Sequence, residues 1–203
     1  MDGFERRRAQ KKTSILNAAL ELFKQYGFNK VTVAEIAKKA SVSQVSIYNF
    51  FDSKENLRHE LLMKLMDDYS TETSSIFNHT ESVKIKLEKL LASTSDFIGR
   101  FSVHFMLDSI ESDPIVRARL QEERTTITEQ VVHLIETGKN EGVLDTSVST
   151  RSMVIFLEIF QDYFNHHPAS LAGYVDNPQL YSEISSLFIK ALMNKEDPDR
   201  PPG

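Results

Sequence analysis

The 203 residues are 40% hydrophobic, with only 7 Gly and 6 Pro, which favours long helices around a real core over a disordered chain or a many-turned β fold. The absence of cysteine excludes disulfides, thiolate metal sites and cysteine nucleophiles. The net charge of −5 argues against a polyanionic partner until its distribution is read: residues 1–60 hold 11 Lys+Arg and 7 Asp+Glu, whereas 61–203 hold 13 and 22. A basic head precedes an acidic body, and such a head suits a polyanion.

Ile15, Ala19, Leu22, Phe23 and Tyr26 recur at helical spacing, and Gly27 is placed to end that helix. Thr32 with Glu35 forms a capping box that opens a second helix, with Ile36 and Ala37 facing inward. Ser41-Val42-Ser43 breaks it, and a short helix follows to about Phe51. Asp52 to Glu55 opens a helix through about Tyr69, and the Thr/Ser-rich stretch 70–80 reads as a loop or frayed turn. From Val83 one apolar stripe predicts a helix of some 25 residues, through Phe97, Phe101 and Phe105. Asp113-Pro114 reads as N-cap plus first-turn proline of a helix running to Gly142. Asp145 to Ser149 offers caps for a helix ending before Pro168, and Asn177-Pro178 opens the last, to about Asn194. The sequence thus predicts an all-α fold of about nine helices. Its organisation is a DNA-binding helix-turn-helix domain over 1–54, a ligand-binding and dimerisation domain over 55–195 and a disordered tail over 196–203.

Residues 32–57 describe a helix, a tight turn and a second short helix. In a helix-turn-helix the second helix lies in the major groove while the first crosses the backbone. Ser43, Gln44, Val45, Ser46, Tyr48 and Asn49 would then be exposed on the second helix, with the short hydrogen-bonding or methyl-reading side chains that base edges require. On spacing alone an ordinary helical hairpin fits as well. The stretch closely resembles the TetR-family signature T-x-x-x-I-A-x-x-A-x-V-S-x-x-x-x-Y-x-x-F-x-S-K-E-x-L, matched by Thr32, Ile36, Ala37, Ala40, Val42, Ser43, Tyr48, Phe51, Ser53, Lys54, Glu55 and Leu57. Ile15, Ala18, Ala19, Phe23 and Gly27 also resemble the family's first helix. The resemblance implies that Tyr48 and Lys54 contact phosphates, that Thr32 is a further candidate, and that 43–49 read bases. Ser41 stands where the family usually has Gly, so its backbone should adopt positive φ. Val45 stands where Gly is common, so it is placed to touch a thymine methyl. Arg6, Arg7, Arg8, Lys11 and Lys12 read as a flexible basic arm, giving supplementary phosphate or minor-groove contacts or merely a soluble terminus.

In the body, 149–165 is apolar nearly all round and 178–194 carries a matching stripe. A helix apolar on every side must be covered on every side. The family's last two helices form a four-helix dimer bundle, which implies a homodimer interface through Phe160, Phe164, Leu180, Ile184, Leu187 and Phe188. Burial within one subunit is the alternative. Met63, Met66 and Tyr69 on one helix, Phe97, Phe101 and Phe105 on another, and Phe156 read as core or as an apolar pocket. TetR-like bodies imply the pocket, with His104 and Asp108 as polar neighbours and a small apolar or aromatic effector. Arg100, Glu111 and Glu158 are further charged groups placed to orient a ligand or to lie on the surface. Asp162 and His166 form an i, i+4 pair, better read as a dipole-stabilised helix end than as a metal edge. Neither cofactor nor metal is expected, and no catalytic arrangement stands out. The longest apolar run, Met153 to Leu157, is far short of the roughly 18 residues a membrane span needs. Without a signal core at the N-terminus, the reading is a soluble cytoplasmic protein. The function expected is that of a ligand-released repressor binding a palindromic double-stranded operator as a dimer, with an all-helical carrier or enzyme for a small apolar molecule as the alternative.

Overall fold

A computed structural model describes residues 3–99, 105, 109, 111–166 and 178–194. Eight helices are named among them: α1 Gly3–Tyr26, α2 Val33–Ala40, α3 Gln44–Phe51, α4 Lys54–Asn78, α5 Val83–Gly99, α6 Pro114–Asn140, α7 Thr150–His166 and α8 Pro178–Leu192. Phe105, Ser109, Glu111 and Ser112 are helical as well. No strand occurs among the described residues. The all-α class read from the sequence is the fold observed.

Local chemistry sets most boundaries as the sequence predicts. Gly27 ends α1 at φ 80°, its N–H donating to the Phe23 carbonyl at 2.9 Å. The Asp113 carboxylate accepts from the amides of Ile115 and Val116 at the start of α6, and Gly142 follows that helix at φ 75°. Ser149 caps α7 by accepting from the Ser152 amide. Two expectations are corrected. Arg6, Arg7 and Arg8 lie inside α1, so the basic arm is a helical extension and not a flexible strand of chain. Residues 70–78 continue α4 and form no loop there. Thr73 is buried and returns its hydroxyl to the Tyr69 and Ser70 carbonyls, and Ile76 packs into an apolar core. Ser and Thr are weak helix formers, but tertiary burial overrides propensity. The expected extension of α5 through Phe101, and the tail over 196–203, lie outside the described residues.

The chain packs as two compact units. The first comprises Met1–Asp68 and Phe97–Gln121. Its core is formed by Ile15, Ala19, Phe23, Ile36, Ile47 and Phe51, all essentially inaccessible. Phe23 packs edge-on to Phe28 at 5.2 Å and stacks on Phe105 at 5.4 Å. The second comprises Tyr69–Asp96 and Glu122–Gly203. Leu87, Leu91, Ile135, Leu144, Met153 and Ile189 form its core. There the residues after α6 and α8 close on each other through an isolated antiparallel bridge, Leu144 to Met193. Gly138 is required at this point: a Cβ would lie 2.8 Å from Val83 Cγ1 and 2.9 Å from Leu144 Cδ1.

Candidate nucleic-acid interface and ligand cleft

The turn between α2 and α3 follows from its capping groups. At the α2 start, the Thr32 hydroxyl accepts from the Glu35 amide while the Glu35 carboxylate accepts from the Thr32 amide at 2.7 Å. The Thr32 amide and the Thr32 hydroxyl, both donating to Glu35 Oε2, hold the Glu35 carboxyl below its ordinary pKa. Ser41 terminates α2 in the left-handed region at φ 56°, as its place in the signature predicts. Ser43 then caps α3, accepting from the Ser46 amide at 3.1 Å, with the two hydroxyls 2.9 Å apart. Both serine side chains are therefore committed first to shaping the turn.

Within α3 the faces separate cleanly. Ile47 and Phe51 are buried, whereas Gln44, Val45, Tyr48 and Asn49 are exposed. Val45 is 66% accessible and Tyr48 46%, a large apolar exposure for one short helix. Gln44, Val45, Tyr48 and Asn49 sit at i, i+1, i+4 and i+5, so they share one face. Two carboxamides, a methyl pair and a phenol so arranged make a surface fit for base edges and phosphates.

Lys54 stands at the start of α4. Its ammonium donates to the Val31 carbonyl at 2.8 Å and lies 4.2 Å from the Phe28 ring centroid. Partial burial pushes it below its ordinary pKa, with Arg58 acting in the same direction and Glu55 against it. Arg58 is buried and also lies 4.2 Å from the Phe28 centroid. Lys54 thus fixes the backbone just before the α2 cap, a positioning role that its match to a phosphate-contacting place does not disclose. Arg6, Arg7 and Arg8 are exposed on α1, and Arg8 approaches the Phe50 ring at 5.5 Å.

The second unit holds an apolar cleft of about 40 Å³. Leu87, Leu90 and Leu91 of α5, Ile127 and Val131 of α6, and Leu157 of α7 form its walls. The polar lining groups are Tyr69, Thr94, Thr128 and Glu158. The Tyr69 hydroxyl lies 3.1 Å from Thr94 Oγ1, which donates to the Leu90 carbonyl at 2.8 Å. Of the described residues expected to bind or orient a ligand, Tyr69 and Glu158 line this cleft. Met66, Phe97 and Phe105 are buried in the first unit, Met63 is half-buried there, and Phe156 is 41% exposed. Phe101, His104 and Asp108 lie outside the described residues. The expectation followed large flexible and aromatic side chains, whereas this cleft is walled by branched aliphatics. No local signal separates such aliphatics from plain core.

On α7 and α8, Ile155, Phe156, Ile159 and Leu187 are exposed, Leu187 to 66% and Ile159 to 61%. Phe188 is buried and stacks on Phe156 at 4.4 Å, and Ile184 is half-buried. The side chains of Phe160, Phe164 and Leu180 lie outside the described residues. Among the described residues no helix is long and apolar enough to cross a membrane.

Residues 15–61 match the family described as bacterial regulatory proteins, tetR family. The chain is 25% identical over 152 residues to the HTH-type transcriptional regulator UidR of Escherichia coli K12, covering 74% of this chain and 77% of that one. It is also 25% identical over 151 residues to the HTH-type transcriptional repressor KstR2 of Rhodococcus jostii, covering 72% and 74%. Its fold is similar to that of the transcriptional regulator FadR from Bacillus subtilis, solved in complex with stearoyl-CoA, with TM-score 0.61, 19% identity and coverage of 89% and 97%.

Proposed function

Because this chain belongs to the TetR family of transcriptional regulators, we propose that it is a ligand-released repressor acting in the cytoplasm on a palindromic operator as a homodimer. The observation that carries the DNA half is the exposed face of α3, with Gln44, Val45, Tyr48 and Asn49 outward on a helix anchored by Ile47 and Phe51. Residues 1–54 carry DNA recognition, and 55–195 carry ligand binding and dimerisation. The exposed apolar side chains of α7 and α8 support the dimer. Two identical heads suit half-sites about one DNA turn apart, roughly 34–36 Å.

Ligand release follows as a population shift. An effector that prefers a head spacing unlike that of the operator lowers DNA affinity, and operator lowers effector affinity by the same factor. The α4 helix, starting beside α3 and reaching Tyr69 at the cleft, is the natural lever. The resemblance to FadR, a regulator solved with an acyl-CoA, supports a body that admits a small molecule. Selection of bound sequences from random DNA tests the reading: a two-fold symmetric site is expected, and uniform affinity for all sequences would overturn it. Regulation, not turnover, is the function proposed.

A further inference from the structure

The cleft in the second unit has a chemical bias beyond being apolar. Thr94 Oγ1 has one hydrogen, and it goes to the Leu90 carbonyl. The Tyr69 hydroxyl lies 3.1 Å from Thr94 Oγ1, within hydrogen-bond reach. Glu158, half-buried on the cleft wall, has no hydrogen-bond or ion-pair partner among the described residues. Among the described residues, no Lys, Arg or His lines the cleft. Further carboxylates act on the same place, since Glu123 and Glu72 repel negative charge at Tyr69. Burial pushes the Tyr69 phenol above its ordinary pKa, and these two glutamates push the same way.

A half-buried carboxylate beside aliphatic walls attracts a cation and repels an anion. We propose that this cleft takes an organic cation, an ammonium carried on a slender apolar tail, with Glu158 as its counter-ion. The inference rests on reading the cleft as the effector site, and it replaces a purely apolar effector by a cationic one. The aliphatic walls bury the tail, and the Glu158 carboxylate selects the head.

The test uses three probes with one tail: n-hexylammonium, 1-hexanol and hexanoate, titrated calorimetrically into the full chain. Hexylammonium is expected to bind about tenfold or more tighter than either of the others. Glu158→Gln should remove that advantage and leave 1-hexanol unchanged, with an unaltered melting curve showing that the variant folds. Equal or tighter binding of 1-hexanol or hexanoate overturns the inference. So does failure of hexylammonium to bind at millimolar concentration, or its indifference to Glu158→Gln. Operator release is measured in the same samples. Glu158-dependent binding that leaves operator affinity unchanged keeps the cation site and rejects the ligand-released repressor.

Discussion

His59 Nδ1 lies 2.6 Å from Asp113 Oδ2, joining α4 to the N-cap of α6 within the first unit. The same carboxylate accepts from the Ile115 and Val116 amides through its other oxygen. Partial burial works to raise the Asp113 pKa, but the His59 hydrogen bond and the two amides outweigh it, and the carboxyl sits below its ordinary value. A depressed carboxyl stabilises the fold above its unfolded pKa, and that contribution is lost as pH falls through the folded value. Asp113→Ala should therefore cost about 0.5–2 kcal/mol at neutral pH. Its melting temperature should also fall less than that of the parent between pH 5 and 3. Thermal melts across that range check both.

Ser41 at φ 56° and Asp52 at φ 61° are the two positive-φ residues other than glycine among the described residues, and they flank α3. Asp52 is the centre of a tight turn in which the Ser53 amide donates to the Phe51 carbonyl at 2.6 Å. Left-handed backbone costs an L residue about 1–2 kcal/mol. Ser41→Gly should raise unfolding stability by about 1 kcal/mol, and Ser41→Val should lower it. Urea denaturation decides, and a neutral Ser41→Gly would show that the cap hydrogen bonds set the cost.

For Lys54, two effects should separate. Lys54→Ala should weaken operator and random DNA alike and reduce the salt slope by about 0.9 per lost phosphate contact. Because the ammonium also holds the Val31 carbonyl, stability should fall as well, by about 1 kcal/mol. Gel-shift titrations at several salt concentrations, run beside melting curves, give both numbers. An unchanged slope with reduced stability would leave Lys54 a positioning residue alone.

Gln44 offers a carboxamide able to pair with adenine in two places. Gln44→Ala should relax preference at particular base pairs, at about 1–3 kcal/mol each. Equal losses on operator and random DNA would move Gln44 off the base edges.

Leu187→Glu and Ile159→Glu place charges on exposed apolar positions of α8 and α7. Neither side chain supports the core of its own subunit, so the fold should survive while the dimer does not. Sedimentation should show monomers with lost operator affinity. A parent chain that is already monomeric at micromolar concentration would remove the dimer from the proposal.

The head was legible in the sequence because its determinants are local. Thr32 and Glu35 lie three residues apart, Ser41 occupies its left-handed place, and Ser43 and Ser46 close the next turn, so each signal needs only neighbours in the chain. The same is true of Gly27, Asp113-Pro114 and Gly142, whose backbone constraints act within one helical turn. What the tertiary structure decided are matters of long-range packing. Thr73 and Ile76 carry α4 through a stretch of poor helix formers because burial outweighs propensity. Lys54 turns to a carbonyl 23 residues away, and His59 finds a carboxylate 54 residues on. The cleft follows the same rule. Tyr69, Leu87, Ile127 and Glu158 come from four helices, and a leucine in a wall carries the same helical period as a leucine in a filled core. Periodicity reports which face of a helix is buried, whereas the space between the buried faces depends on how the helices pack together.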